Sequence, residues 1–193
     1  MEIQTQHGPA RAHVHEAEKP RAVLFLGHGA GGGVTAPDLV TVRDAALAVR
    51  VSVVLVEQPY RVAGRRSPAP ARQLDAAWLD VVGRLRGELP LLVGGRSAGA
   101  RVACRTAEAV GAVGVLCLAF PLHPPGRPEV TRLAELDAVR VPTLVVQGER
   151  DPFGMPPAGK RRTVVRVPGD HGLKADLPAV AEAARGWLGS LLD

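Results

Sequence analysis

Six short apolar runs recur along the chain, at residues 21–26, 51–56, 91–94, 113–119, 143–147 and 163–167. They are rich in valine and leucine and are mostly apolar rather than alternating. A strand covered on one face alternates apolar with polar residues, whereas a parallel strand covered on both faces reads as a nearly continuous apolar run. Between the runs lie Ala/Leu-rich helical segments, at 38–49, 71–86, 98–110, a short piece at 129–136, and 177–191. This alternation predicts an α/β fold with a mostly parallel central sheet and helices on both faces. The start of the chain reads differently. Residues 3–6 and 11–15 alternate polar and apolar around Gly8-Pro9, which predicts an antiparallel edge hairpin.

Parallel sheets bind ligands beyond the carboxyl ends of their strands, so the residues that follow each run carry the chemical information. In order they are Gly27-His28-Gly29-Ala30-Gly31-Gly32-Gly33, Glu57-Gln58-Pro59-Tyr60-Arg61, Gly95-Arg96-Ser97-Ala98-Gly99, Phe120-Pro121-Leu122-His123, Gly148-Glu149-Arg150-Asp151 and Gly169-Asp170-His171-Gly172. Nearly all polar residues of catalytic type converge on one edge.

The third of these is a G-x-S-x-G pentapeptide between a predicted strand and a predicted helix, the context of a nucleophile elbow. Small residues two before and two after the serine let strand and helix approach closely. Ser97 needs an adjacent base to act as a nucleophile. His171 would take its proton, and Asp151 would hold the imidazole in the right tautomer. The N–H groups of Ala98 and Ala30 would hold an oxyanion, with the helix dipole assisting at Ala98. Ser97 could instead be an ordinary N-cap, but its flanking glycines favour the elbow. Asp170 is the rival acid; its adjacency to His171 makes it hard for its side chain to orient that ring. His28, Glu57, Arg61, Arg96 and His123 are candidate pocket residues, and the expected job of His28 is structural.

Two other motifs are weaker. Gly27 to Gly32 fits G-x-G-x-x-G with Glu57 ending the next strand, as in a dinucleotide site. Yet Gly33 to Pro37 delays helix entry past the point where a helix could face a pyrophosphate, and that reading leaves Ser97, Asp151 and His171 unexplained. Gly154 to Lys160 spells G-x-x-x-x-G-K, but Arg161 stands where Ser or Thr is required, and Pro156 and Pro157 intrude.

The order serine, acid, histidine is that of α/β-hydrolases, and the chain resembles that superfamily over nearly its full length. More narrowly it is similar to the small lid-less branch related to dienelactone hydrolases, including bacterial proteins similar to a hydrolase-like subunit of an NSL-type histone-acetyltransferase complex. The stretches that carry the resemblance are 27–33, 94–101 (GGRSAGAR), 120–126 (FPLHPPG) and 147–154 (QGERDPFG). The resemblance implies a triad of Ser97, Asp151 and His171 and an α/β-hydrolase fold with no lid domain. It implies no known substrate, and some relatives serve as complex subunits.

Composition narrows the rest. A chain of 193 residues with 46% hydrophobic content suits one domain, residues 1–193, with a real core. The formal charge is +5, but aromatic residues are only 3%, too few to supply stacking platforms for nucleic acid. No apolar run reaches the ~18 residues of a membrane span. The N-terminus lacks a signal-peptide pattern, and the two cysteines, Cys104 and Cys117, read as buried reduced thiols. The expectation is therefore a cytoplasmic serine hydrolase that cleaves small esters or thioesters and needs no cofactor or metal. Neither nucleic acid nor membrane is expected as a partner, and oligomeric state is open. The alternative is a non-catalytic protein-interaction module that retains the fold.

Overall fold

A computed structural model describes residues 1–192 of the chain. Among them, eight strands form one sheet in the order β1-β2-β4-β3-β5-β6-β7-β8. The strands are β1 (Glu2–Thr5), β2 (Gly8–His15), β3 (Ala22–Gly27), β4 (Val51–Glu57), β5 (Leu91–Arg96), β6 (Gly114–Leu118), β7 (Thr143–Gly148) and β8 (Arg162–Val167). The first two pair antiparallel, and β2 pairs antiparallel with β4. All the remaining pairings are parallel. The order reverses at β3, so β4 and β5 leave it in opposite directions. This is the crevice in which open α/β sheets place their sites.

Helices cover both faces. On one side α3 (Ala71–Leu85) and α4 (Ala98–Thr106) bury Trp78, Val81, Val82, Val102 and Ala103 against the sheet. On the other, α1 (Pro37–Ala48) and α6 (Leu177–Leu192) bury Leu39, Val42, Val180, Ala184 and Leu188. Burying an aliphatic or aromatic side chain of this size stabilises the fold by about 1.5–3 kcal/mol, which is why central strands with no polar face are tolerated. Trp78 is fully buried and meets Phe25 edge-on, with ring centroids 6.5 Å apart.

Local chemistry adjusts several predicted boundaries. A one-turn helix, α2 (Pro59–Val62), follows β4 and is not among the helical segments expected from the sequence; Pro59 at its first position has the φ a helix start needs. α4 stops at Thr106, and the chain continues in turns to Gly111, whose φ of +67° reverses it toward β6. The predicted helix at 129–136 is α5 (Leu133–Asp137). The Thr131 hydroxyl accepts from the Leu133 N–H, so the first turn begins there rather than earlier. Cys104 and Cys117 are free and buried with sulfurs 3.5 Å apart; the hydrogen bond between them, together with burial, pushes the Cys117 thiol well up. No helix of the described residues is long and apolar enough to cross a membrane.

Candidate active site

β5 runs straight into Ser97, which has φ 53° and ψ −108° before α4 begins at Ala98. A non-glycine residue at such angles costs on the order of 1–3 kcal/mol and persists only where its surroundings impose it. Those surroundings are the flanking glycines and the end of β3. A methyl group added at Gly95 would lie 2.5 Å from the Gly27 carbonyl oxygen, and one at Gly99 would meet the same oxygen still closer. The strand end, the bend and the first helical turn touch backbone to backbone, which projects the Ser97 side chain off the sheet.

The loop after β8 brings His171 to that side chain. Its Nε2 lies 3.0 Å from Ser97 Oγ, and its Nδ1 lies 2.8 Å from Asp151 Oδ2. An ionised carboxylate only accepts, so Nδ1 carries the proton and Nε2 is left free to accept from the serine hydroxyl. The Asp151 side chain is 1% exposed. Its other oxygen accepts the Phe153 N–H at 2.9 Å, and Gln147 Nε2 donates to Oδ2 at 2.8 Å. Gln147, wholly buried, also has Nε2 3.1 Å from the Phe120 carbonyl and 2.9 Å from the Gly154 carbonyl, so its two N–H groups are shared among three acceptors and one amide ties the β7 end to both neighbouring loops. Phe153 packs edge-on against the His171 ring, centroids 4.6 Å apart. Asp170 instead caps its own turn by accepting the Gly172 N–H and is exposed.

Ala98 is the first residue of α4, so its N–H has no acceptor within the helix. The Ala30 N–H is oriented indirectly. His28 Nε2 accepts from the Gln58 N–H at 3.0 Å, which leaves Nδ1–H to donate to the Gly29 carbonyl at 2.8 Å. In a planar trans peptide the N–H points opposite the carbonyl, so the His28 ring sets the direction of the Ala30 N–H. The next peptide is held by the Tyr60 hydroxyl, which donates to the Ala30 carbonyl at 2.9 Å. Burial pushes the Tyr60 phenol up to about 12 and lowers His28 below its ordinary value, so both stay neutral at pH 7.

Behind His171 sits a second device. Arg96 Nε lies 2.9 Å from Asp38 Oδ2, and Arg96 Nη2 donates to the His171 carbonyl at 3.0 Å. Asp38 is 1% exposed at its side chain. Burial raises its pKa, with Arg96 opposing that rise. A methyl at Gly29 would lie 2.8 Å from Arg96 Nη1, so glycine there gives the guanidinium its passage. One side chain thus links α1, the loop after β3, the serine bend and the histidine loop.

A cavity of about 380 Å³ opens at Ser97, Ala98 and Ala30. Its apolar walls include Pro68, Leu74, Pro121 and Phe153, and Arg101, Arg105 and Arg132 also line it. None of the five candidate pocket residues does. His28 and Arg96 lie behind the site as just described. Glu57 faces the edge hairpin, where Arg11 pairs with it at 3.2 Å, because the register sets those two residues side by side. Arg61 donates toward the Arg65 carbonyl on the surface. His123 is bonded to the Val130 carbonyl and holds the β6–β7 connection. The pocket arginines, Asp38 and Gln147 were not singled out from the sequence. Gln147 lies in the stretch 147–154 and Arg101 ends the stretch 94–101, both of which carried the resemblance, but Arg105 and Arg132 have no local signal. Among the described residues no group of three or more His, Cys, Asp or Glu side chains is placed to hold a metal ion.

Comparison with known proteins agrees with this architecture. Residues 20–175 match the family described as alpha/beta hydrolase domain. A Xanthomonas campestris protein described as a serine hydrolase without a lid is 20% identical with a TM-score of 0.80, over 98% of this chain and 93% of that one. Est1E from Butyrivibrio proteoclasticus is 16% identical with a TM-score of 0.80, over 99% and 98% of the two chains. Dienelactone hydrolase from Anabaena variabilis is 15% identical with a TM-score of 0.75, over 98% and 95%. At these identities the likeness is one of fold. No curated protein matches the sequence.

Proposed function

The chain belongs to the alpha/beta hydrolase family, and on that premise we propose that it is a serine hydrolase cleaving small esters or thioesters through an acyl-serine intermediate. The observation that carries this reading is the continuous hydrogen-bond path from Ser97 Oγ through the His171 ring to the buried Asp151 carboxylate. In the proposed reaction Ser97 Oγ attacks the scissile carbonyl carbon while His171 Nε2 takes its proton. The Asp151 carboxylate offsets the imidazolium charge that results. The N–H groups of Ala98 and Ala30 receive the developing oxyanion. Collapse expels the alcohol or thiol, which leaves with the proton from His171. Water activated by the same imidazole then releases the acid and restores the serine.

The absence of a lid and the cavity of about 380 Å³ favour small substrates. Ser97→Ala should abolish hydrolysis of short 4-nitrophenyl esters and labelling by a fluorophosphonate probe, with an unchanged circular dichroism spectrum. Activity near that of the natural protein in the variant would overturn the mechanism.

A further inference from the structure

The cavity beside Ser97 holds an uneven set of charges. Ala98, Arg101 and Arg105 follow one another at helical spacing along α4, so the two arginines form a stripe leading away from the reactive serine. Both are committed. Arg101 is paired in two-pronged fashion with Glu135 at 2.9 and 2.6 Å. Arg105 is paired with Asp75 at 2.8 and 2.7 Å and reaches Glu135 at 3.3 Å. Burial acts against the charge of Arg105, but the two carboxylates outweigh it and its pKa is raised.

Arg132, at the start of α5, differs. Its Nη1 donates to the carbonyls of Pro121 and His123, each at 3.2 Å, and among the described residues no carboxylate pairs with it. Burial and the neighbouring Arg101 and Arg105 lower its pKa, with Glu135 opposing; a guanidinium nevertheless stays charged at neutral pH. Arg101, Arg105 and Arg132 therefore face Asp75 and Glu135 with one positive charge left over. That charge lines the same cavity as the serine, with Pro68, Leu74, Pro121 and Phe153 as apolar wall. A guanidinium with Nε and Nη2 unbonded is suited to a carboxylate.

We propose that Arg132 makes this cavity selective for esters or thioesters that carry a free carboxylate a short methylene chain away from the scissile bond. The inference rests on the hydrolase reading for the reaction, but the anion site itself does not require turnover. The apolar walls would cover the methylenes, and the carboxylate would neutralise the surplus charge.

Two ligand pairs test it, one with the carboxylate on the acyl side and one with it on the alcohol side: monomethyl against dimethyl adipate, and 6-acetoxyhexanoate against its methyl ester. Binding is measured by calorimetry on Ser97→Ala protein, which leaves the ligands intact. At least one anionic member should bind about tenfold more tightly than its neutral partner, a difference of roughly 1.4 kcal/mol. Raising the salt concentration well above about 0.1 M should shrink it. Adding Arg132→Gln, which keeps a donor for the two carbonyls but removes the charge, should bring the ratio close to one, while Arg132→Lys should keep part of it. Equal binding of both pairs, or a preference that survives Arg132→Gln, overturns the proposal. Turnover of the same esters by the natural protein reads the other claim separately. Preferential binding without hydrolysis would retire the esterase and leave the anion site standing. Ser97-dependent hydrolysis without anionic preference would do the reverse.

Discussion

The two sides of Ser97 use arginine in opposite ways. On the side of His171, Arg96 meets a single carboxylate, Asp38, which is almost wholly buried, and its Nη2 donates to a backbone carbonyl. On the cavity side, Arg101 and Arg105 take up Glu135 and Asp75 while Arg132 pairs with neither, and all five side chains are half-buried. A one-to-one pair leaves no net charge to offer a ligand, and its carboxylate is held by burial; it braces. An open cluster with surplus charge still has capacity for an anion; it selects. The same residue type becomes scaffold or reader according to how many of its donors the fold has already occupied.

Substitutions on each side break or sharpen that contrast. The largest effect is expected at Asp151. If the bracing side exists to hold the His171 ring, Asp151→Asn should lower kcat on a short ester by roughly 10³–10⁴, because an amide can donate and so favours the wrong tautomer. Activity within tenfold of the natural protein would show that the ring is oriented by something else.

Next comes Arg96→Met, which strands a buried carboxylate. Stability in urea should fall by about 3 kcal/mol. The double variant Arg96→Met with Asp38→Leu should regain most of that stability yet stay slow, since the His171 carbonyl has lost its donor. A single variant with little loss of stability would mean that the pair does not brace.

On the open side the cost should be smaller. Arg101→Gln removes a half-buried ion pair and should destabilise by about 1 kcal/mol or less. By freeing Glu135 it should also weaken any preference for anionic esters.

The smallest effect is a pH dependence. Burial lowers His28 from its ordinary 6.5. Below that value the unfolded chain takes up a proton that the folded ring resists, so the contribution is intact above pH 6.5 and is lost as the pH falls through and below it. His28→Gln should flatten that part of the stability profile, measured as urea midpoints from pH 7.5 down to about 5.5. An unchanged slope would show that other groups set it.

Much of this was legible from residue order alone. The apolar runs mark the parallel strands because strands covered on both faces have no polar side to display, and the alternating start marks the hairpin because one of its faces meets solvent. Ser97 stood out because a bend that tight admits only glycine two residues to either side. What stayed hidden were contacts without a local rule. Asp38 lies in the first turn of α1 as any first-turn acid might, and Arg132 precedes a helix of only five residues, too short for its spacing to mark a face.

The sequence by itself determined the layer architecture, the edge on which the polar loops gather, and the serine, acid and histidine that those loops present, because backbone periodicity and turn sterics are local properties. Only the tertiary structure decided which arginine is matched and which is left over. Arg96 with Asp38, Arg105 with Asp75 and Arg101 with Glu135 are partners from separate elements. Whether a charge is balanced depends on which side chains the packed helices bring within ~4 Å, and chain order does not encode that distance.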